Sequence, residues 1–343
     1  EAEQAGVEGV EANRSRIDET GDASSIMDQI LANFDVAEPS AIVEDLIVLR
    51  EKVENLSDPH WKAIKLAEID ALIKDCTGLY LEAVAAKPTA APGDSIQITL
   101  EAVNRSPLEI SLVSMTSEQL SYAEVQNSEL VNNEVLELEM RTKSNADVPV
   151  SQPYWLVEPG TLGTYTVNDP ALIGKAENDP AIVFTLEVEI QGKPLQYNIP
   201  LVYKYRDPVE GESYKPFYLV PPLTLNFKED IQVFYNQVKE NTLTIRANAD
   251  GQKGTVRLEA PGGFVIEPGT VSVDLKKAGE EVDIPLVIVP SKEADQGEVK
   301  ASFESQDGQL MNQSLMQISY EHIPDQIYLP EATCRVVNID LNK

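Results

Sequence analysis

The sequence predicts a mainly β chain with an N-terminal helical unit, followed by two antiparallel, immunoglobulin-like β-sandwiches in tandem. Three observations lead there. Apolar residues recur at helical spacing only as far as Gly78. Beyond it, short stretches alternate apolar and polar with period two, separated by Pro, Gly and Asn turns. A chain of 343 residues exceeds one sandwich and suits two or three domains, and 42% hydrophobic residues suffice for real cores.

Residues 1–22 are charged and aperiodic and read as a loose leader. The helical unit is expected over 23–78. Ser24 or Ser25 can cap a short helix bearing Ile26, Met27, Ile30, Leu31 and Phe34. Pro39 suits a first helical position, and Ile42, Val43, Leu46, Ile47, Leu49, Val53 and Leu56 continue as an amphipathic helix. Asp58 as cap and Pro59 in the first turn open a third helix through Ile69, Leu72, Ile73 and Cys76, which Gly78 closes. Helices joined by such tight breaks pack antiparallel.

The first sandwich is expected over 79–205, with strands at 79–84, 96–103, 108–113, 135–140, 182–190 and 195–205 and an irregular Pro-, Gly- and Asn-rich excursion over 151–180. Residues 206–216 carry the composition of a linker. A second sandwich follows over 217–321, with strands at 224–227, 242–247, 254–260, 271–275, 282–288, 298–303 and 315–320. Residues 322–343 read as the start of a connection to a further domain, and Glu1 as a cut or processed end.

Charge narrows the partners. Lys and Arg number 27 against 57 Asp and Glu, a formal net charge of −30, so phosphate backbones and anionic lipid are repelled and no nucleic-acid partner is expected. There is no apolar run of about 18 residues, so no membrane insertion is expected. Two cysteines, Cys76 and Cys334, do not make a disulfide framework.

The search for chemistry returns no catalytic residue and no metal set. A hydrolytic zinc site needs three protein ligands and an open position, whereas His60 and His322 stand near opposite ends of the chain. On one helix, His60 and Cys76 would face roughly 160° apart, and Cys76 falls in the apolar stripe. There is no G-x-S-x-G elbow and no P-loop. Two loop features remain. Asn168-Asp169-Pro170-Ala171 and Asn178-Asp179-Pro180-Ala181 repeat a phrase whose Asp169 and Asp179 are candidate calcium ligands, although Asx-Pro pairs also simply start turns. Tyr154 and Trp155 form a candidate glycan platform, the better one because Leu201, Tyr203 and Tyr205 alternate onto one strand face as packing residues do.

Several phrases carry a family resemblance. Pro153-Tyr154-Trp155-Leu156, Gly163-Thr164-Tyr165-Thr166-Val167, Asn178-Asp179-Pro180-Ala181 and the run from Val202 to Pro208 resemble the β-rich region of long bacterial PIG-L (LmbE-like) deacetylases. The run from Ser57 to Lys62 resembles the segment after their catalytic domain. Gly254-Thr255-Val256-Arg257-Leu258, Pro261-Gly262-Gly263-Phe264 and Glu267-Pro268 resemble the sandwich associated with bacterial α-galactosidases. The resemblance implies an extracytoplasmic setting and a parent enzyme whose zinc sits in a separate catalytic domain with a His-Pro-Asp-Asp motif. That motif does not occur here, so no catalytic residue carries over and no cofactor is expected in this segment. Two readings follow: an accessory spacer that positions neighbouring domains of the same chain, or a sandwich that binds glycan for the parent enzyme.

Overall fold

A computed structural model describes residues 23–339; the leader expected over 1–22 lies outside them. The described chain is mainly β with an N-terminal helical unit and several sheets. Among the described residues no helix is long and apolar enough to cross a membrane.

The helices are α1 (Ala23–Asn33), α2 (Val43–Val53) and α3 (Pro59–Cys76), with a 3-10 turn at Pro39–Ile42 leading into α2. Asp58 caps α3 as its spacing predicts: its carboxylate accepts from the backbone N–H groups of His60 and Trp61 at 2.9 and 3.2 Å. Gly78 ends the unit at φ +58, where an added Cβ would lie 3.0 Å from the Arg105 side chain. The helices bury Leu46, Leu49, Val53, Ile69 and Ile73 in a core continuous with the first β unit. Polar ties hold the two together: the Tyr197 hydroxyl donates to the Asp70 carbonyl at 3.2 Å, and Lys193 meets Glu51 at 2.6 Å.

The first β unit comprises β1 (Tyr80–Ala85), β2 (Thr89–Ala90), β3 (Ser95–Val103), β4 (Ile110–Ser117), β5 (Tyr122–Glu129), β6 (Val135–Lys143), β7 (Val183–Ile190), β8 (Lys193–Asp207), β9 (Gly211–Pro216) and β10 (Tyr218–Leu219). The main order is β5-β4-β7-β8-β1-β3-β6, and the long β8 turns the sheet around the core. Its first half pairs with β7, and its second half lies parallel to β1 and antiparallel to β9. Period-two burial in β3 puts Ile96, Ile98, Leu100 and Ala102 inside.

Two expected boundaries are corrected here. Residues 206–216 are not a linker: they close the β8–β9 hairpin, where the Asp207 carboxylate accepts from the N–H groups of Val209 and Glu210 at 2.7 and 3.0 Å and Gly211 takes φ +86. Asp-Pro-x-x-Gly serves a tight turn as readily as a tether. Nor does the second unit begin at 217. Phe217 and Leu219 sit in the first core, and β10 pairs with β2.

The second unit contains β11 (Leu223–Phe227), β12 (Ile231–Phe234), β13 (Lys239–Ala247), β14 (Gln252–Glu259), β15 (Phe264–Glu267), β16 (Thr270–Leu275), β17 (Glu281–Pro290), β18 (Gln296–Ser305), β19 (Leu310–Met311), β20 (Met316–Tyr320), β21 (Ile323–Tyr328) and β22 (Thr333–Asn338). One sheet runs β11-β13-β17-β15 and the other β12-β22-β18-β14-β16. Leu243, Ile245, Leu286 and Ile288 from the first join Val256, Val299, Phe303 and Val336 from the second in one core. This corrects the expected connection over 322–343 for its described residues, those after 339 lying outside them: β22 lies between β12 and β18, with Cys334 and Val336 fully buried. The alternation of Cys334 and Val336 with Thr333, Arg335 and Val337 is that of an internal strand.

The β units meet at a connector of three residues, Val220-Pro221-Pro222. Val220 N–H donates to the Ala90 carbonyl of the first unit at 2.9 Å, and the carbonyls of Pro221 and Pro222 accept from Asn248 in the second at 2.9 and 2.8 Å. The β20–β21 hairpin leaves the second unit and lies against β9 of the first.

Candidate functional site

The hairpin, β9 and the 151–180 excursion enclose a cleft of about 620 Å³. Elementary forces put it there. The excursion holds no strand among its described residues and is folded by 3-10 turns at Tyr154–Leu156 and Pro170–Leu172, as its Pro and Asn content dictates. Its start is pinned to β10, where Ser151 N–H donates to the Leu219 carbonyl at 2.7 Å and Leu219 N–H donates back to the Ser151 hydroxyl at 3.0 Å.

The opposite wall is fixed by Asp325 of β21. Its carboxylate meets Lys215 Nζ at 2.7 Å and accepts from the Gln317 amide at 2.9 Å and from the Ser319 hydroxyl. Burial alone would raise its pKa, but these donors and the ammonium charge more than offset it and hold Asp325 below the ordinary aspartate range. Lys215 is pushed up in turn by its bond to Asp325 and lies over the Tyr205 ring, 5.2 Å from the centroid. The Tyr218 hydroxyl donates to the Asp325 main-chain carbonyl, and burial raises that phenol to about 12. Leu329 N–H donates to the Gln152 side chain at 3.1 Å, closing the clamp from the excursion side. An aspartate held ionised in this way has no proton to give as a general acid.

Tyr154 and Trp155 lie side by side, as the glycan reading requires, but their rings meet edge to face, with centroids 4.9 Å apart and planes at 87°. Both are half-buried. The Tyr154 hydroxyl donates to the Lys175 carbonyl at 3.1 Å and its N–H to Asn178 Oδ1 at 3.0 Å, so this ring braces the loop. Trp155 lines the cleft. The pair offers one ring, not a flat two-ring platform. The near-parallel arrangement falls instead to Tyr203 and Tyr205 on β8, stacked with centroids 5.9 Å apart and planes at 12°.

The two candidate calcium aspartates have separate structural tasks. Asp169 caps a 3-10 turn, accepting from Ala171 N–H at 2.9 Å, and Asp179 is paired with Lys175 at 2.7 Å. Among the described residues no three His, Cys, Asp or Glu converge to hold a metal. His60 lies exposed at the start of α3 against the Trp61 edge, and His322 in the turn of the β20–β21 hairpin beside Tyr320. Cys334 accepts from the Asn241 amide at 3.5 Å, and burial pushes its thiol up to about 11, away from thiolate chemistry. A second polar knot lies on the outer sheet face, where Glu82 meets Lys204 at 2.6 Å. Burial works against ionisation of Glu82, yet Lys204, Tyr80 and Tyr214 hold it below the ordinary glutamate range.

The cleft was not visible in the sequence because its walls come from stretches far apart in the chain, around 119, 148–155, 177–181, 200–202, 214–218 and 324–327. One partial signal was present: Pro149, Pro153, Pro180, Pro200, Pro216 and Pro324 all line it.

No family model matches the chain, and no curated protein matches it. Among solved structures it is similar to WR4, a C. elegans MSP family member, at 10% identity over 34% of this chain and 98% of that one, with a TM-score of 0.22. It is also similar to Salmonella alpha-2-macroglobulin at 9% identity over 76% of this chain, with a TM-score of 0.27. E. coli alpha-2-macroglobulin matches at 10% identity over 76% of this chain, with a TM-score of 0.25. The chain spans 16% and 17% of those macroglobulins. At such scores these likenesses carry no argument about activity.

Proposed function

We propose that this chain is a rigid, non-catalytic spacer that fixes neighbouring domains of its own polypeptide, as the accessory region of an extracytoplasmic PIG-L-like de-N-acetylase whose zinc belongs to a separate domain. The observation that carries this is the junction. Two consecutive prolines, each with a fixed φ, join the β units, and the flanking groups bond to both sides. The hairpin clamp then adds a second, non-covalent bridge at Lys215–Asp325. A flexible tether would need neither.

The tandem immunoglobulin-like reading is supported by strand order. In the second unit β11-β13-β17-β15 corresponds to A-B-E-D, and β12-β22-β18-β14-β16 to A′-G-F-C-C′. The first unit repeats the plan, with β1-β3-β6 as A-B-E and β5-β4-β7-β8 as C′-C-F-G. In both, an A-type strand runs parallel to the last strand, β1 (A) with β8 and β12 (A′) with β22. One departure is that β15 precedes β16 in the chain.

Spin labels at the exposed positions Val125 and Val265, introduced as Val125→Cys and Val265→Cys in a Cys76→Ser background, test the spacer reading. One narrow inter-unit distance is expected, broadening when Pro221→Gly and Pro222→Gly are combined. A broad distribution before that change removes the proposal. Glycan capture has its own test. Retardation of the native chain in a polysaccharide gel, lost on Trp155→Ala, would displace the spacer reading, whereas equal mobility across a broad panel supports it.

A further inference from the structure

We propose that the junction cleft binds a neutral, apolar, ring-bearing small molecule that bridges the two β units. Its volume of about 620 Å³ lies within the roughly 300–1,000 Å³ that small-molecule sites occupy. Its apolar lining is rich in rings: Trp155, Phe217, Tyr218 and the six prolines already named. Proline and indole faces offer flat dispersion contact and almost no hydrogen bonding.

Several of the polar groups that line the cleft are engaged elsewhere. The Ser151 hydroxyl accepts from Leu219 N–H. The Gln152 side chain donates to the Leu156 carbonyl and accepts from Leu329 N–H. Asn178 donates to the Gln152 carbonyl and accepts from Tyr154 N–H, and Lys215 and Asp325 satisfy each other. A sugar brings many hydroxyl groups that would lose water and find these partners already taken. An anion is disfavoured too, since Glu177, Asp179 and Asp325 line the cleft of a chain with net charge −30. Nor does a buried negative charge await a cation, because Asp179 is paired with Lys175, Asp325 with Lys215, and Glu177 is exposed to solvent. What remains is a ligand without charge and with few polar atoms. Because 214–218 of the first unit and 324–327 of the second both line the cleft, one molecule touches both.

Nile red, neutral and apolar, is the probe, used on the whole chain carrying Trp61→Phe so that Trp155 is the remaining tryptophan. Saturable one-to-one binding is expected, with quenching of Trp155 and a blue-shifted dye emission. Val150→Trp, at a half-buried loop position lining the cleft, should weaken it by about tenfold or more. Trp155→Ala, read by dye emission alone, gives the same result if the bulkier variant does not fold. Anionic anilinonaphthalene sulfonate should bind about tenfold more weakly. Leu72→Glu, in the separate apolar groove of about 370 Å³ on the helical unit, should change nothing. Binding indifferent to both cleft variants, lost on Leu72→Glu, equal for the anionic dye, or displaced by oligosaccharide overturns the proposal.

Discussion

Replacing Asp325 with alanine removes the centre of the hairpin clamp. Its side chain is 10% exposed and its partner Lys215 is 35% exposed, so the pair is largely shielded while the released ammonium can regain water. The variant loses the Lys215 contact and the bonds from Gln317 and Ser319, but keeps the Tyr218 bond to the main-chain carbonyl and the Leu329 bond to Gln152. A hydrogen bond to a charged group contributes about 1.5–3 kcal/mol net. Rehydration of Lys215 places the loss toward the lower part of that range. The equilibrium for opening the hairpin should therefore rise roughly tenfold to thirtyfold. Native-state hydrogen exchange reads this directly: amides of β20 and β21 should lose protection while those of β13 and β17 keep theirs. Unchanged protection in the hairpin, or a loss spread evenly over the second unit, would refute the clamp.

The same contact sets a pH response. Asp325 is depressed, so its contribution is complete above the ordinary aspartate value of 3.8 and fades as pH falls through the folded value. Lys215 is raised, so its share is complete below the ordinary lysine value of 10.5 and fades as pH climbs through the raised one. Hairpin protection should be level between these limits and should drop on the acid side in the wild type but not in Asp325→Ala. Phe303→Ala empties a fully buried position and should cost about 3–5 kcal/mol. In a Trp155→Phe background, urea unfolding should show an earlier loss of β signal while Trp61 emission, on α3, keeps its midpoint. Gly254→Ala would set a Cβ 2.1 Å from the Glu304 main-chain oxygen. That forces β14 from β18, with an expected loss above about 4 kcal/mol in the same assay.

Periodicity revealed what burial dictates and missed what geometry assembles. Strands such as β3 and β7 were legible because alternate residues are fully buried. By contrast, β5 has no buried residue and several charged or polar ones, so nothing marked it as a strand. No strand is expected at Phe264–Glu267, where Pro261-Gly262-Gly263 dominates the local composition, yet Phe264 and Ile266 fill the second core. The connector was misplaced because polar, Gly-containing 206–216 resembles a tether more than apolar Val220-Pro221-Pro222-Leu223 does. Adjacency in sequence was enough to bring Tyr154 and Trp155 together, but their perpendicular rings follow from the Lys175 and Asn178 bonds, which no spacing rule supplies. The cleft itself depends on long-range closure by the hairpin.

The position of β22 also governs how this protein can be made. It occupies an interior place beside β12, pairing Ile231 with Arg335, about a hundred residues later. While the chain emerges from the ribosome, β12, β18 and their sheet must wait with an unfilled slot until residues near 338 are free. The helical and first β units have no such wait and can complete earlier. During that interval the waiting strands are open to pairing with a neighbouring nascent chain, so synthesis speed should affect the soluble yield of the second unit more than that of the first.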